Sequence, residues 1–424
     1  MKEKFYMGSP RISSEFRDCS MPLAFDQHKG CGYKCIYCFA YFKRYNDVNS
    51  QNDFQKGITP RVDVKKMLKL LDGDVSKASR QFKIYYKYFI KKRKVIQWGA
   101  MGDPFCPYEK VLKTGLPIIK KLADMKYPVS FSTKATWFTE NDEYMNLFKQ
   151  SPESFHFKFS IICSDKEKAA IIEQGVPSPE ERFKAMKRLS DIGVAVTLRL
   201  RPYIIGLSDL DLEDTIKRAS EAGAISVSME FFCLDVRASF TLKQRYKIMS
   251  NVVGYDMPKF YTKNSSQRGY LRLNKQIKEP HVKRVKELCD KYGLKLYISD
   301  PDFKELSHHG SCCGLPQRKP FTNYCKAQLC ELLVSLKNGE EIDWDEYEKK
   351  YKEDFKWQKE IMAHEFCDFG SAHKHRLNIN TSCYDYSKNI WNKPKSNQSP
   401  YKYFGGTLTP VKLNKKNNVV YKKK

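Results

Sequence analysis

The sequence predicts an α/β fold built on a parallel sheet, which either closes into a barrel or stays open, followed by a smaller region that contains several Cys residues. Two observations lead to this prediction. Short apolar runs of strand length alternate with segments of helical period through residues 95–231. Strands that alternate with helices are the units of a parallel sheet. With 424 residues, the chain has room for one large domain and a smaller one.

Seven apolar runs are predicted to be strands, and helices are predicted between most of them. The strands are expected at 21–26, 95–98, 129–132, 155–162, 194–202, 225–231 and 294–298. Helices are expected at 109–125, 140–149, 179–192 and 211–222. The first strand leads directly into a loop with several Cys residues, and parallel barrels carry their chemistry on the loops that follow their strands.

Changes in composition divide the chain into four parts. These are an irregular lead-in at 1–20, the barrel at 21–300, a Cys- and His-containing domain at 301–391 and a basic tail at 392–424. The tail is rich in Pro, Asn and Lys, so it is predicted to be loosely ordered. The long basic loop at 254–280, between the sixth and seventh strands, is predicted to be a lid or a disordered segment.

The formal net charge of +27 favours a polyanionic partner, above all nucleic acid, although a well-solvated Lys-rich surface explains it equally well. The segment 76–94 interleaves aromatic and basic residues. It is either a nucleic-acid face or, as we favour, an amphipathic helix with a buried aromatic stripe.

Neither a secretory signal nor a run of membrane-spanning length is visible, so we expect a cytoplasmic protein without a membrane segment. The 14 cysteines are then expected to be reduced, buried or metal-binding rather than disulfide-bonded.

The central motif of the sequence is a loop in which Cys31, Cys35 and Cys38 are spaced C-x3-C-x2-C, with Tyr37 before the last of them. Three thiolates can hold one face of a [4Fe–4S] cluster, which normally takes four Cys ligands. One iron then stays open to an outside ligand, as catalytic metal sites leave a position open. The alternative is a zinc site with His28 as the fourth ligand.

This motif resembles the signature of the radical S-adenosylmethionine (SAM) superfamily. The resemblance implies a partial (β/α)6 TIM-like barrel with Cys31, Cys35 and Cys38 as the catalytic cluster ligands. It also implies reductive cleavage of SAM to a 5′-deoxyadenosyl radical that abstracts hydrogen from a substrate. The implied partner is an electron donor such as flavodoxin or ferredoxin.

Polar residues at the predicted strand ends suit a zwitterionic cofactor that carries a ribose. Lys134 and Arg199 suit the SAM carboxylate, and Asp103 suits its amino group or ribose. The full set of expected cofactor-binding residues is Tyr37, Gly99, Asp103, Lys134, Ser160, Arg199 and Arg201, with Glu230 at a further strand end.

Three segments are similar to those of the spore photoproduct lyase-like group, also described as DNA repair photolyases. They are 99–109, 132–134 and 199–206. The resemblance spans residues 25 to about 230. The group places a hydrogen-donating Cys just before the Asp of its second-strand segment, whereas this chain has Ala100 and Met101 there. The nearest thiol is that of Cys106, so the resemblance does not carry over the lyase reaction itself.

A second group of cysteines lies in the C-terminal region. Cys312, Cys313, Cys325 and Cys330 fall within nineteen residues, with His308 and His309 just before them. They are candidate ligands of a second [4Fe–4S] cluster or of a structural zinc, with Cys367 or Cys383 as substitutes for one of the adjacent pair. The other interpretation is that these cysteines are free.

The sequence therefore predicts a radical SAM enzyme, and a nucleic-acid base is one candidate substrate for repair or modification. An alternative is a radical SAM maturase of a peptide or small molecule. The alternative outside enzymes is a zinc-containing nucleic-acid-binding protein. The sequence leaves the substrate, the fate of SAM and the oligomeric state open.

Overall fold

The computed structural model describes residues 11–12, 21, 23–28, 30–40, 63–236, 240–265, 269–322, 329–363 and 380–424. Its main sheet has eight strands in the order β1-β2-β4-β5-β6-β8-β9-β12. The strands are β1 (Arg11–Ile12), β2 (Leu23–Phe25), β3 (Lys34–Cys35), β4 (Ile96–Trp98), β5 (Val129–Thr133), β6 (Phe155–Ser160), β7 (Glu173–Gln174), β8 (Ala195–Tyr203), β9 (Ala224–Phe231), β10 (Leu234–Asp235), β11 (Tyr270–Leu271), β12 (Lys295–Ile298), β13 (Glu341–Ile342), β14 (Leu408–Leu413) and β15 (Val419–Lys423).

Seven neighbouring strands of this sheet, β2 to β12 in the sheet order, are parallel, and β1 adds an antiparallel edge. β1 and β12 are the two edges and do not pair with each other, so the barrel is partial. The predicted α/β class and the positions of all seven predicted strands are confirmed, with ends that differ by one or two residues.

Helices connect the parallel strands as expected for crossover connections. They are α1 (Val64–Asp72), α2 (Arg80–Tyr85), α3 (Pro107–Leu112), α4 (Leu116–Asp124), α5 (Asp142–Gln150), α6 (Lys166–Ile172), α7 (Pro179–Asp191), α8 (Leu212–Glu221), α9 (Phe240–Val253), α10 (Met257–Lys263), α11 (Lys275–Lys291), α12 (Cys330–Ser335), α13 (Trp344–Lys350), α14 (Lys352–Glu360), α15 (Cys383–Trp391) and α16 (Pro400–Tyr403). The single helix expected at 109–125 is split into α3 and α4 by Gly115.

The five central strands alternate between two faces of different polarity. Their apolar residues, such as Phe155, Phe157 and Phe159 on β6, are fully buried in the main core. The polar residues share the concave face, where hydrogen bonds cross from strand to strand. They are Gln97, Ser130, Ser132, His156, Lys158, Ser160, Thr197, Arg199, Arg201, Ser226, Ser228 and Glu230.

A segment that follows β12 occupies this concave face. The backbone carbonyl of Gly314 accepts hydrogen bonds from Thr197 Oγ1 at 3.3 Å and Ser226 Oγ at 3.4 Å, and that of Cys312 accepts one from Ser228 Oγ at 2.8 Å. A Cβ atom on Gly314, whose φ is +62°, would lie 2.9 Å from Thr197 Cγ2, so only Gly fits there. The interior of the partial barrel is thus filled by backbone and polar groups rather than by an apolar core.

The C-terminal region has a core of its own, and the expectation of a loosely ordered tail at 392–424 is wrong. β14 and β15 pair antiparallel and β13 completes a three-stranded sheet. Tyr421 of β15 is buried, and its hydroxyl donates a hydrogen bond to Trp391 O at 2.7 Å. The strands form because apolar residues such as Val419 and Tyr421 pack on the aromatic core of α13 and α15, which outweighs the Lys-rich composition.

Two further expectations can be compared with the structure. In the segment 76–94, α2 continues as a π-helical turn at Tyr86–Ile90, and Phe82, Tyr85 and Phe89 are buried, so the amphipathic-helix interpretation is confirmed. The described part of the segment 254–280 is not an unstructured loop, because it contains α10, β11 and the start of α11, and a role as a lid stays a prediction. None of the helices in the described ranges has the length and apolar character to cross a membrane.

Candidate active site

The loop that carries Cys31, Cys35 and Cys38 is anchored to the connection between β6 and β8. Cys35 and Glu173 are partners in a two-residue antiparallel ladder of β3 with β7. Next to it, Ile36 N donates a hydrogen bond to Ile172 O at 3.0 Å. A turn follows, in which Cys38 N donates to Cys35 O at 3.2 Å. The loop is therefore held by backbone pairing to a segment more than 130 residues away in sequence.

Tyr37 is fixed by a buried chain of polar contacts. Its hydroxyl donates a hydrogen bond to Glu173 Oε1, and Glu173 Oε2 lies 2.7 Å from Arg182 Nη2. Arg182 also donates to the carbonyl of Ser160 at 2.6 Å between Nη1 and O. Glu173 and Arg182 are almost completely buried, so the loss of either side chain would leave the charge of the other buried without compensation.

The three thiols differ in exposure and lie near a buried cation. Cys31 and Cys35 are buried, and Cys38 is half-buried. A hydrogen bond with the thiol of Cys106, together with burial, raises the pKa of Cys31. Burial raises the pKa of Cys35, and the ammonium of Lys134 acts in the opposite direction. Lys134 Nζ lies 5.6 Å from the centre of the Tyr37 ring, so Lys134 and Tyr37 both border the loop.

His28, which precedes the loop, interacts with a buried carboxylate. Its Nε2 lies 3.1 Å from Glu109 Oε2. Glu109 Oε1 accepts hydrogen bonds from Gly115 N at 2.8 Å and from Tyr144 OH at 3.0 Å. His28 therefore takes part in a network that holds the entry of the loop against α3 and α4.

The end of β4 is tied to the end of β2 by a carboxylate that the sequence analysis did not single out. Asp26 Oδ1 accepts hydrogen bonds from Met101 N at 2.9 Å and Gly102 N at 3.1 Å. Gly99 N donates to Phe25 O at 3.0 Å. Gly99 has a φ of +86°, and a Cβ atom there would lie 2.6 Å from Ser132 O, so the close approach to β5 requires glycine.

Asp103 joins the ends of β4 and β5. Its Oδ1 accepts hydrogen bonds from Phe105 N at 2.9 Å and Thr133 Oγ1 at 2.7 Å, and its Oδ2 accepts one from Lys134 N at 2.6 Å. Burial raises the pKa of Asp103, although these bonds favour the ionised form. In the structure the carboxylate positions the backbone that carries Lys134, and its contact with SAM stays a prediction.

The concave face carries three cations, Lys158, Arg199 and Arg201, and one carboxylate, that of Glu230. Arg201 forms an ion pair with Glu230, and Arg199 Nη1 donates a hydrogen bond to Ser160 Oγ at 3.3 Å. Lys158 Nζ donates to Gln97 Oε1, and burial lowers the pKa of Lys158 to about 8. Burial and Arg201 lower the pKa of Arg199 to about 10. The concave face therefore carries more positive than negative charge in the region that contains Arg199 and Arg201, two of the predicted SAM-binding residues.

A model of the radical SAM superfamily matches residues 28–219. The chain carries a radical SAM domain. The match begins just before the Cys loop and ends inside α8, so it includes every strand end from β4 to β8. The superfamily uses a [4Fe–4S] cluster and SAM, and it consists of enzymes. The predicted superfamily is thereby confirmed.

Several solved structures resemble the chain at low identity. A spore photoproduct lyase mutant with bound AdoMet and dinucleoside spore photoproduct is 14% identical, over 68% of this chain and 80% of that chain, at a TM-score of 0.48. A spore photoproduct lyase complexed with dinucleoside spore photoproduct is 13% identical, over 70% and 79%, at a TM-score of 0.48. Streptococcus suis SuiB bound to precursor peptide SuiA is 11% identical, over 75% and 68%, at a TM-score of 0.34. No curated protein is a significant match.

The Cys loop of the radical SAM domain fits a [4Fe–4S] cluster in the chemistry and placement of its donors. Three thiols project from one short loop next to the cations of Lys134 and, farther off, Arg199, which suits a negatively charged cluster and a carboxylate ligand. Within the described ranges, no three His, Cys, Asp or Glu side chains are arranged around a single metal ion. A cubane spreads its ligands more widely, because each thiolate binds a different iron.

The described cysteines of the second group each have different neighbours. Arg201 Nη1 donates a hydrogen bond to Cys312 Sγ at 3.8 Å, and Cys330 Sγ donates one to Gly310 O at 3.0 Å. Cys313 is buried beside Val95 and Phe321. Cys325 and Cys367 lie outside the described residues, and Cys383 is buried in the main core. A second cluster or a zinc at these cysteines stays a prediction.

Sequence reasoning missed several residues of the site. Glu173 binds Tyr37, Asp26 binds the backbone of Met101 and Gly102 between two predicted ligands, and Lys158 lies near Arg199 and Arg201, yet none of the three lies in the motifs. A signal for Lys158 is present in the sequence, because it stands between Phe157 and Phe159 in a strand that is buried along its whole length. Glu173 has no comparable local signal, since its role depends on pairing with β3.

Proposed function

We propose that this protein is a radical SAM enzyme that abstracts hydrogen from a nucleotide unit of a nucleic acid. Cys31, Cys35 and Cys38 would hold a [4Fe–4S] cluster, and the cluster and SAM, when bound, would supply a 5′-deoxyadenosyl radical. Lys134 would hold the SAM carboxylate, and Tyr37, whose ring centre lies 5.6 Å from Lys134 Nζ, would border the same space. Asp103 and Asp26 keep the backbone of the two neighbouring strand ends in place for this contact.

The observation that carries the nucleic-acid assignment is the excess of positive charge. The whole chain has a net charge of +27, and the concave face contributes Lys158, Arg199 and Arg201 against Glu230. Buried cations are unfavourable without counter-charges, so an anionic substrate stabilises this arrangement. Phosphate groups are the anions that Arg and Lys clusters commonly bind.

The shape of the site restricts how a nucleic acid is bound. The segment 312–315 fills one end of the concave face, so the space for a substrate lies at the carboxyl ends of the strands. A base reaches this space only when it is single-stranded or has left its stack. We therefore expect single-stranded or damaged, poorly stacked nucleic acid to be preferred over an intact duplex.

The test uses enzyme that is reconstituted with iron and sulfide without oxygen. Binding of single- and double-stranded DNA and RNA is measured across a salt series, together with 5′-deoxyadenosine formation. We expect affinity to fall steeply with salt, because neutralised phosphates release counterions, and 5′-deoxyadenosine to increase when single strands are added. Turnover that is indifferent to every nucleic acid would contradict the proposal and favour a peptide or small-molecule substrate.

A further inference from the structure

A cleft opens at the carboxyl ends of β9 and β12, beside the cations of the concave face. We call it the β9–β12 cleft, and its empty space, counted together with the solvent at its mouth, is about 600 Å³. Glu230, Cys233 and Asp300 line it from the two strand ends, and Arg272 and Tyr403 line the other side. Carboxyl ends of parallel strands are where such sheets bind their ligands.

The charges that line the cleft are paired, with one exception. Lys278 Nζ lies 2.7 Å from both Asp300 Oδ2 and Asp302 Oδ2, and Glu230 is paired with Arg201. In the part of the chain that the structure describes, Arg272 makes neither a hydrogen bond nor an ion pair, and Cys233, Tyr403 and Glu230 act on it only at longer range. A half-buried guanidinium without a partner is costly to hold, so its five donors are available to a ligand.

The walls of the cleft also suit a planar group. Phe231, Phe232 and Tyr403, the last of them from α16, are among the residues that line it. Aromatic rings beside a guanidinium are the usual surroundings of nucleotides in single-stranded nucleic-acid sites. The cleft continues into the concave face through Glu230, which contacts Arg201 on one side and lines the cleft on the other.

We propose that the β9–β12 cleft binds a backbone phosphate of the substrate on Arg272, next to the nucleotide that reacts. Arg272 donates two parallel N–H groups to the phosphate oxygens, which is the geometry in which Arg exceeds Lys. This inference rests on the proposed function, because the phosphate belongs to the nucleic-acid substrate. It adds a binding residue that lies outside the segment matched by the superfamily model.

Three variants of the full-length chain test the cleft. Arg272→Gln removes the charge, Arg272→Lys keeps the charge but not the paired donors, and Lys120→Gln removes one charge from the exposed face of α4. Affinity for a fluorescent single-stranded ten-nucleotide DNA is measured by anisotropy across a salt series. We expect Arg272→Gln to weaken binding about tenfold or more and to reduce the salt slope by about one phosphate. Arg272→Lys should be intermediate, and Lys120→Gln close to wild type.

A second measurement separates the cleft from the proposed function. Phenylglyoxal modifies accessible arginines, and peptide mass spectrometry locates the modified residue. We expect inorganic phosphate and the oligonucleotide each to protect Arg272 in the wild-type chain. If the oligonucleotide binds but Arg272→Gln behaves like Lys120→Gln, the cleft proposal is wrong and the proposed function stands. If phosphate protects Arg272 but no oligonucleotide binds, the anion site stands and the nucleic-acid function is wrong.

Discussion

Asp103 Oδ2 accepts a hydrogen bond from the backbone N–H of Lys134 at 2.6 Å, which joins the loop after β4 to the end of β5. The same carboxylate also accepts hydrogen bonds from Phe105 N and Thr133 Oγ1. Two strand ends that follow different helices are thereby held in one arrangement, and Lys134 is presented beside the Cys loop by this contact.

Removing the carboxylate should loosen both strand ends. We expect Asp103→Ala to lower the free energy of unfolding by about 2–4 kcal/mol, because three hydrogen bonds to a charged group are lost together. It should also weaken SAM binding, since Lys134 loses its backbone anchor. The control is Asp74→Ala. Asp74 is exposed, with its Oδ2 3.6 Å from Lys69 Nζ, so its replacement should change the free energy of unfolding by less than about 1 kcal/mol. Equal stabilities of the two variants in urea denaturation would contradict the structural role of Asp103.

The three loop cysteines should act as a unit. We expect the variant in which Cys31, Cys35 and Cys38 are all replaced by Ala to bind almost no iron after reconstitution and to form no 5′-deoxyadenosine under reducing conditions. Cys289→Ala, which removes a buried thiol of α11 far from the loop in sequence, is the control and should retain its iron. Formation of 5′-deoxyadenosine by the triple variant would show that the cluster assignment is wrong.

Lys134 should contribute to SAM binding without being needed for the cluster. Charge-assisted hydrogen bonds contribute about 1.5–3 kcal/mol each, so Lys134→Ala should weaken SAM binding at least about tenfold. Iron content should stay at the wild-type level. Calorimetry of the anaerobic, reconstituted protein measures the affinity, with Lys120→Ala on the exposed face of α4 as the control. An unchanged affinity would remove Lys134 from the SAM site.

The buried pair of Glu173 and Arg182 should contribute far more to stability than an exposed pair formed by Glu180 of the same helix with Arg218 of α8. Glu173→Ala leaves the guanidinium of Arg182 buried without its partner, which typically costs about 3–5 kcal/mol of stability. Glu180→Ala breaks the exposed pairs of Glu180 with Arg218 and Lys184 and should cost about 0–1 kcal/mol. Urea denaturation of both variants measures the two losses in the free energy of unfolding. Similar losses in the two variants would contradict the role we assign to Glu173.

Lys158 should make stability depend on alkaline pH. Its pKa is lowered from 10.5 to about 8 in the folded protein, so between these values the unfolded chain binds a proton that the folded chain does not. The free energy of unfolding contributed by this group therefore rises as pH increases from about 8 to 10.5, by up to about 3 kcal/mol. Lys158→Met should remove that rise. The free energies of unfolding of the wild-type protein and of Lys158→Met are measured by denaturation at pH 8 and pH 10, and their difference isolates the contribution of Lys158 from that of other groups. A difference that is the same at both pH values would show that the pKa of Lys158 is not lowered.

The sequence by itself determined the sheet and the Cys loop, because both depend on local patterns. Alternation of residues along β5, β6 and β8 marks buried strands whatever the remaining chain does, and three cysteines within eight residues of one loop are necessarily neighbours. The strand ends at Asp103, Lys134 and Arg199 were predictable for the same reason, since parallel strands deliver their carboxyl ends to one side.

Only the tertiary structure decided which of these residues meet and what surrounds them. The pairing of Cys35 with Glu173 and the contact of Cys312 with Arg201 join residues more than 100 positions apart, so they depend on strand register and on the path of the chain. Composition also misjudged the tail, because Tyr421 and Val419 become buried only when Trp391 is beside them. That Arg272 has no hydrogen-bond or ion-pair partner among the described residues was equally unpredictable, because it depends on which groups the fold brings near it.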